Sequence, residues 1–177
     1  MIVRAARPQD AHAVARVRMI SWQATYRGIV PQSFLDALTP AESEEGWRAV
    51  AAGEMPGSEL VVCEVDGDVV GFACYGAARP PNFGYSGELY ATYYLPQAMG
   101  KGYGTQAVAQ VVAGLKRLGH SDMILWVMEA NARGRRFYDG IGGSVIAGSR
   151  QSFEIEGTPI WEIAYGFRPL PDLGAKR

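Results

Sequence analysis

Gly100, Gly102 and Gly104 alternate with Lys101 and Tyr103, and Thr105 follows them. Glycine admits positive φ and lets a ligand come close to the backbone. Apolar residues then recur at Ala107, Val108, Val111, Val112, Leu115 and Leu118, a helical period that Gly119 ends. The first turn of such a helix carries unpaired N–H groups and partial positive charge. Glycines at that point build a seat for an anion, most often a phosphate, and Lys101 adds a full charge beside it. Ahead of the loop, Leu89, Tyr90, Thr92, Tyr93, Tyr94 and Leu95 read as an aromatic and β-branched strand that Pro96 stops. The loop is not a P-loop, because its lysine lies between glycines and no Ser or Thr follows it. It is not the dinucleotide fingerprint either, since G-x-G-x-G stands where G-x-G-x-x-G is needed.

A second constellation lies about thirty residues on. Met123 to Met128 reads as a buried strand, Asn131 stands at a helix start, and Gly134, Phe137 and Tyr138 follow before Gly140 ends the helix. Together the two motifs resemble those of the GNAT acyltransferase family. Its pyrophosphate loop runs Q/R-x-x-G-x-G/A after a strand, which falls here on Met99, Gly102 and Gly104. Met99 departs from the pattern: one side-chain contact is lost and the backbone cradle stays. The other family signature, N-x-x-[A/G]-x-x-F-Y, falls on Asn131, Gly134, Phe137 and Tyr138. The resemblance runs from the first strand to about Phe167.

The resemblance implies a single-domain acetyl-CoA-dependent N-acetyltransferase in which an amine attacks the bound thioester directly, in a ternary complex. It implies that Gly100, Lys101, Gly102, Tyr103, Gly104 and Thr105 hold the pyrophosphate through backbone N–H groups. The strand residues Thr92, Tyr93 and Tyr94 would flank a bulge whose free backbone groups bond the pantetheine arm and polarise the acetyl carbonyl. Asn131 would add a hydrogen bond to the pantetheine or the acetyl end. Tyr138 would protonate the departing thiolate, as a phenol still protonated at neutral pH can. Glu88, at the strand's start, is a candidate base for the acceptor amine or else a solvated strand-end carboxylate, and Glu162 is a lesser alternative. Trp22, Tyr26 and Arg27 fall where the family's first helices wall the acceptor pocket, the aromatics able to cover an amine by cation–π contact. A small-metabolite amine is the expected acceptor. A protein or peptide acceptor, and a non-catalytic acyl-CoA-binding module, are the alternatives.

The rest of the composition fits this reading. With 177 residues, 48% apolar and 20% charged, the chain has enough material for one domain with its own core. A net charge of −1 gives no reason to expect nucleic acid or an anionic membrane as partner, although Arg133, Arg135 and Arg136 cluster locally. No signal-peptide-like or membrane-length apolar run is visible, and a reduced cytoplasmic protein is the expectation. His12, His120, Cys63 and Cys74 make no metal-ligand spacing, so no metal is expected. No Ser-His-Asp or Cys-His arrangement points to a covalent intermediate.

The elements that must position these groups follow from periodicity. A strand is expected at Ile2–Ala6, a helix from Ala11 to about Arg27, a short helix around Phe34, Leu35 and Leu38, and another capped by Thr39 with Trp47 and Val50 buried. Glu59–Val65 and Val69–Tyr75 should form a hairpin turning at Asp66-Gly67, placing Cys63 opposite about Val70 and Cys74 opposite about Glu59, which disfavours a disulfide. Ser144–Ile155 and Thr158–Phe167 should be the closing strands, and residues 169–177 a frayed tail after a domain spanning 1–168. By analogy alone, the closing strands offer an edge for a homodimer. The fold class is α/β: a mixed, mostly antiparallel sheet flanked by helices, with splayed central strands, as the resemblance implies.

Overall fold

A computed structural model describes residues 1–174. β1 (Ile2–Ala5) opens the chain, followed by α1 (Ala11–Thr25), α2 (Gln32–Ala37) and α3 (Ala41–Ala51). β2 (Ser58–Val65) and β3 (Asp68–Ala77) form the expected hairpin, and β4 (Gly87–Tyr94) leads into α4 (Tyr103–Arg117). β5 (Met123–Met128) and α5 (Ala132–Gly140) precede β6 (Ser144–Val145), β7 (Gln151–Ile155) and β8 (Thr158–Phe167). The sheet order is β1-β2-β3-β4-β5-β8-β6, with β7 also on β8. Among the described strands only β4 and β5 run parallel, and α4 is the crossover that a parallel pair requires.

Strand alternation sorts the core into two layers. Val61, Ala73, Tyr75, Leu89 and Leu125 point to the face covered by α4, where Val108, Val111 and Leu115 are fully buried. Leu60, Val62, Phe72 and Cys74 point to the other face and meet Val14 and Val17 of α1, with Trp47 of α3 packed against them. Each fully buried valine or leucine contributes about 1.5–3 kcal/mol, so the two layers fix the sheet on which the central strands sit. A third cluster joins the α1–α2 segment to the far end of the sheet: Tyr26, Val30, Leu35 and Leu38 bury against Met128, Ile155 and Ile160.

Four sequence expectations change. The cap of α3 is Pro40, already in helical conformation, and no side-chain bond caps the helix, so Thr39 has no capping role. Cys63 faces Gly71 and Cys74 faces Leu60, one residue away from the expected register, because the pairing skips Val70 between Cys63–Gly71 and Glu64–Val69. Both thiols are free and buried. The stretch Ser144–Ile155 is two strands, because Ser149 Oγ accepts the Ala164 N–H at 3.0 Å and the chain turns there. The tail is anchored where it is described: Leu170 is buried and donates its N–H to Ser121 O, and Arg168 pairs with Asp122 at 2.8 Å. Residues 175–177 of the expected tail lie outside the described residues.

Candidate active site

β4 and β5 are paired over three positions only, Gly87–Met123, Glu88–Ile124 and Leu89–Leu125. Beyond Leu89 the strands part, β4 staying on β3 and β5 on β8. The separation begins at a bulge. Leu89 lies opposite Tyr75 and Ala91 opposite Cys74, which leaves Tyr90 as the extra residue. A bulge bends its strand and increases the twist. Past it, backbone groups of β4 that point away from β3 have no strand partner and face the gap. A cleft of about 530 Å³ opens there, walled by α1, β4, the glycine loop, β5 and α5.

The glycine loop forms one end of this cleft. Gly100 has φ 78° and Gly102 φ 80°, the left-handed region that favours glycine. Gly102 is the N-cap of α4, and no side chain caps that helix, so the first-turn N–H groups remain free for a ligand. Gly100, Gly102, Gly104 and Thr105 line the cleft, whereas Lys101 and Tyr103 do not. Lys101 is exposed, and Tyr103, the first residue of α4, packs against the apolar cluster that contains Leu95 and Ala98.

Tyr138, Asn131, Thr92, Tyr93 and Tyr94 all line the cleft. Asn131 caps α5, its Oδ1 accepting the Gly134 N–H at 2.9 Å, which accounts for the spacing from Asn131 to Gly134. A Cβ on Gly134 would lie 2.8 Å from the Asn131 amide nitrogen, so any larger residue there would have to displace the capping side chain. Tyr138 sits one turn further along α5, between Phe137 at 5.3 Å and Tyr165 at 5.8 Å, ring to ring. Burial pushes its phenol above the usual tyrosine range, and Tyr93 adds to the effect. Burial does the same to Tyr26 and Tyr93. All three phenols therefore keep their protons at neutral pH.

The other end of the cleft is aromatic and carries two carboxylates. Trp22 packs edge-on to Tyr26 at 4.8 Å and lies 6.4 Å from Tyr93, and all three reach the cleft. Arg18 already stands over the Trp22 ring at 5.1 Å. The buried indole Nε1 of Trp22 makes no hydrogen bond among the described residues. Arg27 is not in this wall: it is exposed beyond the end of α1, in a backbone bridge with Val30.

Glu88 is 2% exposed and does line the cleft, but its carboxylate is engaged. It accepts the Arg79 backbone N–H at 2.8 Å and the Arg79 guanidinium at 2.5 and 3.3 Å. Arg79 lies in turn over the Tyr90 ring at 4.3 Å. Glu162, opposite Met128 on β8, is half-buried and lines the same cleft. One of its oxygens accepts from Gln151 at 2.9 Å and the other makes no bond to the described residues.

Sequence reasoning did not place Arg79, Trp126, Met128, Arg133 or Phe153 in this wall. Alternation along β5 contains the signal for Trp126 and Met128, which share a face. Arg79 and Phe153 depend on how the β3–β4 connection and β7 fold back, for which no local pattern exists. Among the described residues no group of three or more His, Cys, Asp or Glu side chains could hold a metal ion, and no helix is long and apolar enough to cross a membrane.

Residues 17–142 match the model of the Acetyltransferase (GNAT) family. The chain is 34% identical over 173 residues to Uncharacterized N-acetyltransferase YuaI of Bacillus subtilis (strain 168), covering 98% of this chain and 94% of the relative. Among solved structures, ribosomal-protein-alanine N-acetyltransferase from Brucella melitensis superposes with a TM-score of 0.74 at 21% identity, over 95% of this chain and 99% of that one. The putative acetyltransferase yncA from Salmonella typhimurium, solved with its cofactor acetyl-CoA, gives 0.72 at 21% identity, over 100% and 98%. At such identities the structural likeness speaks for the fold.

Proposed function

The chain belongs to the GNAT acetyltransferase family, and from that premise we propose that it transfers an acetyl group from acetyl-CoA to a primary amine of a small metabolite. The cleft suits the cosubstrate in chemistry. It offers free N–H groups at the start of α4 beside two left-handed glycines for a pyrophosphate, and the unpaired edge of β4 for an amide-bearing arm. Acetyl-CoA supplies an acetyl group activated as a thioester.

The residues of the chain supply position and protons. The free backbone N–H groups past the bulge at Tyr90 lie where a carbonyl oxygen can be held and its developing charge stabilised. Tyr138 carries the proton for the departing thiolate sulfur, and burial keeps that proton in place until it is needed. The amine must lose a proton before or as it attacks. Glu162 takes the role of base, directly or through water, because it has an unengaged oxygen. Glu88 is reassigned from base to positioning residue, since Arg79 occupies its lone pairs.

The observation that supports this acceptor class is the contact between α2 and the β7–β8 hairpin. α2 does not stand apart from the β7–β8 hairpin. Leu35 and Leu38 are buried with Ile155 and Ile160, and the Ser33 hydroxyl donates to Glu156 at the hairpin turn. An extended peptide needs an open channel on this side, whereas a small amine needs a pocket. The test is thiol release from acetyl-CoA with small primary amines and amino acids on one side and free-amino-terminal tripeptides on the other. The account expects turnover with members of the first group. Turnover confined to peptides would shift the assignment to a protein acetyltransferase.

A further inference from the structure

We infer that Arg133 is the cation that meets the pyrophosphate of coenzyme A in this chain, an inference that rests on the acetyl-CoA reading above. Among the described residues two arginines line the cleft, Arg79 and Arg133. Arg79 is committed to Glu88 through its guanidinium, which neutralises it. Arg133 forms no ion pair with a described residue. Lys101, whose position in the sequence made it the natural counter-charge, lies outside the lining. The loop's own side chain at this point is Met99, which is neutral and lines the cleft. A pyrophosphate seated on the backbone N–H groups would therefore meet one uncommitted full positive charge in the cleft wall, and α5 brings it.

The placement is specific. Arg133 Nη2 stands 3.8 Å from where a Cβ on Gly100 would be. The guanidinium thus reaches across the cleft mouth to the first left-handed glycine of the loop. It also separates the cleft from an adjoining hollow of about 330 Å³, whose walls include Met99, Pro96 and Asn131. Its neighbours on α5 are not equivalent. Arg135 donates to the Glu129 carbonyl at 3.2 Å, and Arg136 is exposed and absent from both linings. Planar, always charged guanidinium matches two phosphate oxygens at once, and it complements a loop that offers only partial charges. The side chain is exposed, so its removal leaves the core intact.

The experiment is a titration of the full-length protein with coenzyme A and, separately, with 3′-dephospho-coenzyme A, using the wild type, Arg133→Gln and Arg133→Lys. The expected result is that Arg133→Gln weakens both ligands about five- to tenfold, the size of one charge-assisted contact near the surface. Arg133→Lys should recover only part of that loss, because an ammonium keeps the charge and gives up the paired donors, and all three proteins should melt together. Unchanged affinity in Arg133→Gln would overturn the inference. So would a loss seen with coenzyme A and not with the dephospho form, which would move the contact to the 3′-phosphate. A wild-type protein that binds neither ligand would instead overturn the acetyl-CoA reading itself.

Discussion

Tyr138 and Glu162 enter one cleft from different elements, α5 and β8, and on the proposed reading they carry separate halves of the proton inventory. Replacing Tyr138 by Phe removes the proposed proton donor and keeps the ring packed between Phe137 and Tyr165. The expected outcome is a loss in kcat of about 100-fold or more with little change in the affinity for acetyl-CoA, read by steady-state thiol release and a binding titration. Glu162→Gln and Glu88→Gln should separate cleanly. The first should lower kcat at neutral pH and recover partly as the pH rises and the free amine supplies its own lone pair. The second replaces the buried carboxylate that pairs with Arg79 by a neutral amide, so it should cost about 1–2 kcal/mol, some 3–6 °C in Tm. Turnover by Glu88→Gln should fall less than by Glu162→Gln, and the reverse order would restore Glu88 as the base.

At the scale of elements, the strand-loop-helix unit β4–α4 was legible because its glycines, its aromatic strand and its 3.6-residue apolar period all agree. Its details were not, since side-chain direction in the loop depends on where α4 begins. The helix starts at Tyr103, which turns that ring and Lys101 away from the cleft. Gly104 lies inside the first turn, and a Cβ there would meet the Phe137 ring at 3.3 Å. Gly104→Asp adds a carboxylate beside the anion seat as well as that crowding. Coenzyme A affinity should fall at least tenfold, well beyond what the accompanying drop in Tm explains. Retained affinity would remove the loop from its role.

The hairpin β2–β3 shows the same limit of local pattern. Alternation identified it, yet the skipped Val70 moved both cysteine partners by one residue. Burial pushes the Cys63 thiol up to about 11 and the Cys74 thiol up to about 12. The native protein should therefore leave both thiols unmodified by a thiol-specific disulfide reagent at pH 8, with full labelling only after unfolding. The sign of the pH effect follows. Between the ordinary thiol range near pH 9 and these raised values, the unfolded chain has lost protons that the native chain still holds. The stabilising contribution is thus complete below about pH 9 and is lost progressively as the pH rises. Thermal melts should show Tm falling steadily from pH 9 to pH 11, and a Tm that rises over this interval would contradict the burial of the two thiols.

For the whole molecule, the element pattern pointed to a mixed sheet flanked by helices, the resemblance added splayed central strands, and the architecture agrees. What it could not foretell lies between distant segments. The tie from α2 to the β7–β8 hairpin spans more than one hundred positions, Ser33 to Glu156, and no periodicity encodes such a contact. Arg27 was placed in the acceptor wall by resemblance, but α1 ends two residues earlier and leaves it outside. Tyr26, one position before, is buried in the wall. The contact of α2 with the hairpin and the place of Arg133 on the cleft both depend on long-range packing. On the proposed reading, the first bears on the acceptor class within a widely used fold, and the second adds a counter-charge for the pyrophosphate.

The most direct test of the whole account is thiol release from acetyl-CoA, followed continuously at neutral pH with and without a panel of small primary amines. The account predicts release that saturates with acetyl-CoA, depends on the amine, and yields the N-acetylated amine in equal amount. Binding of acetyl-CoA with no amine-dependent release would contradict it and leave an acyl-CoA-binding module in its place.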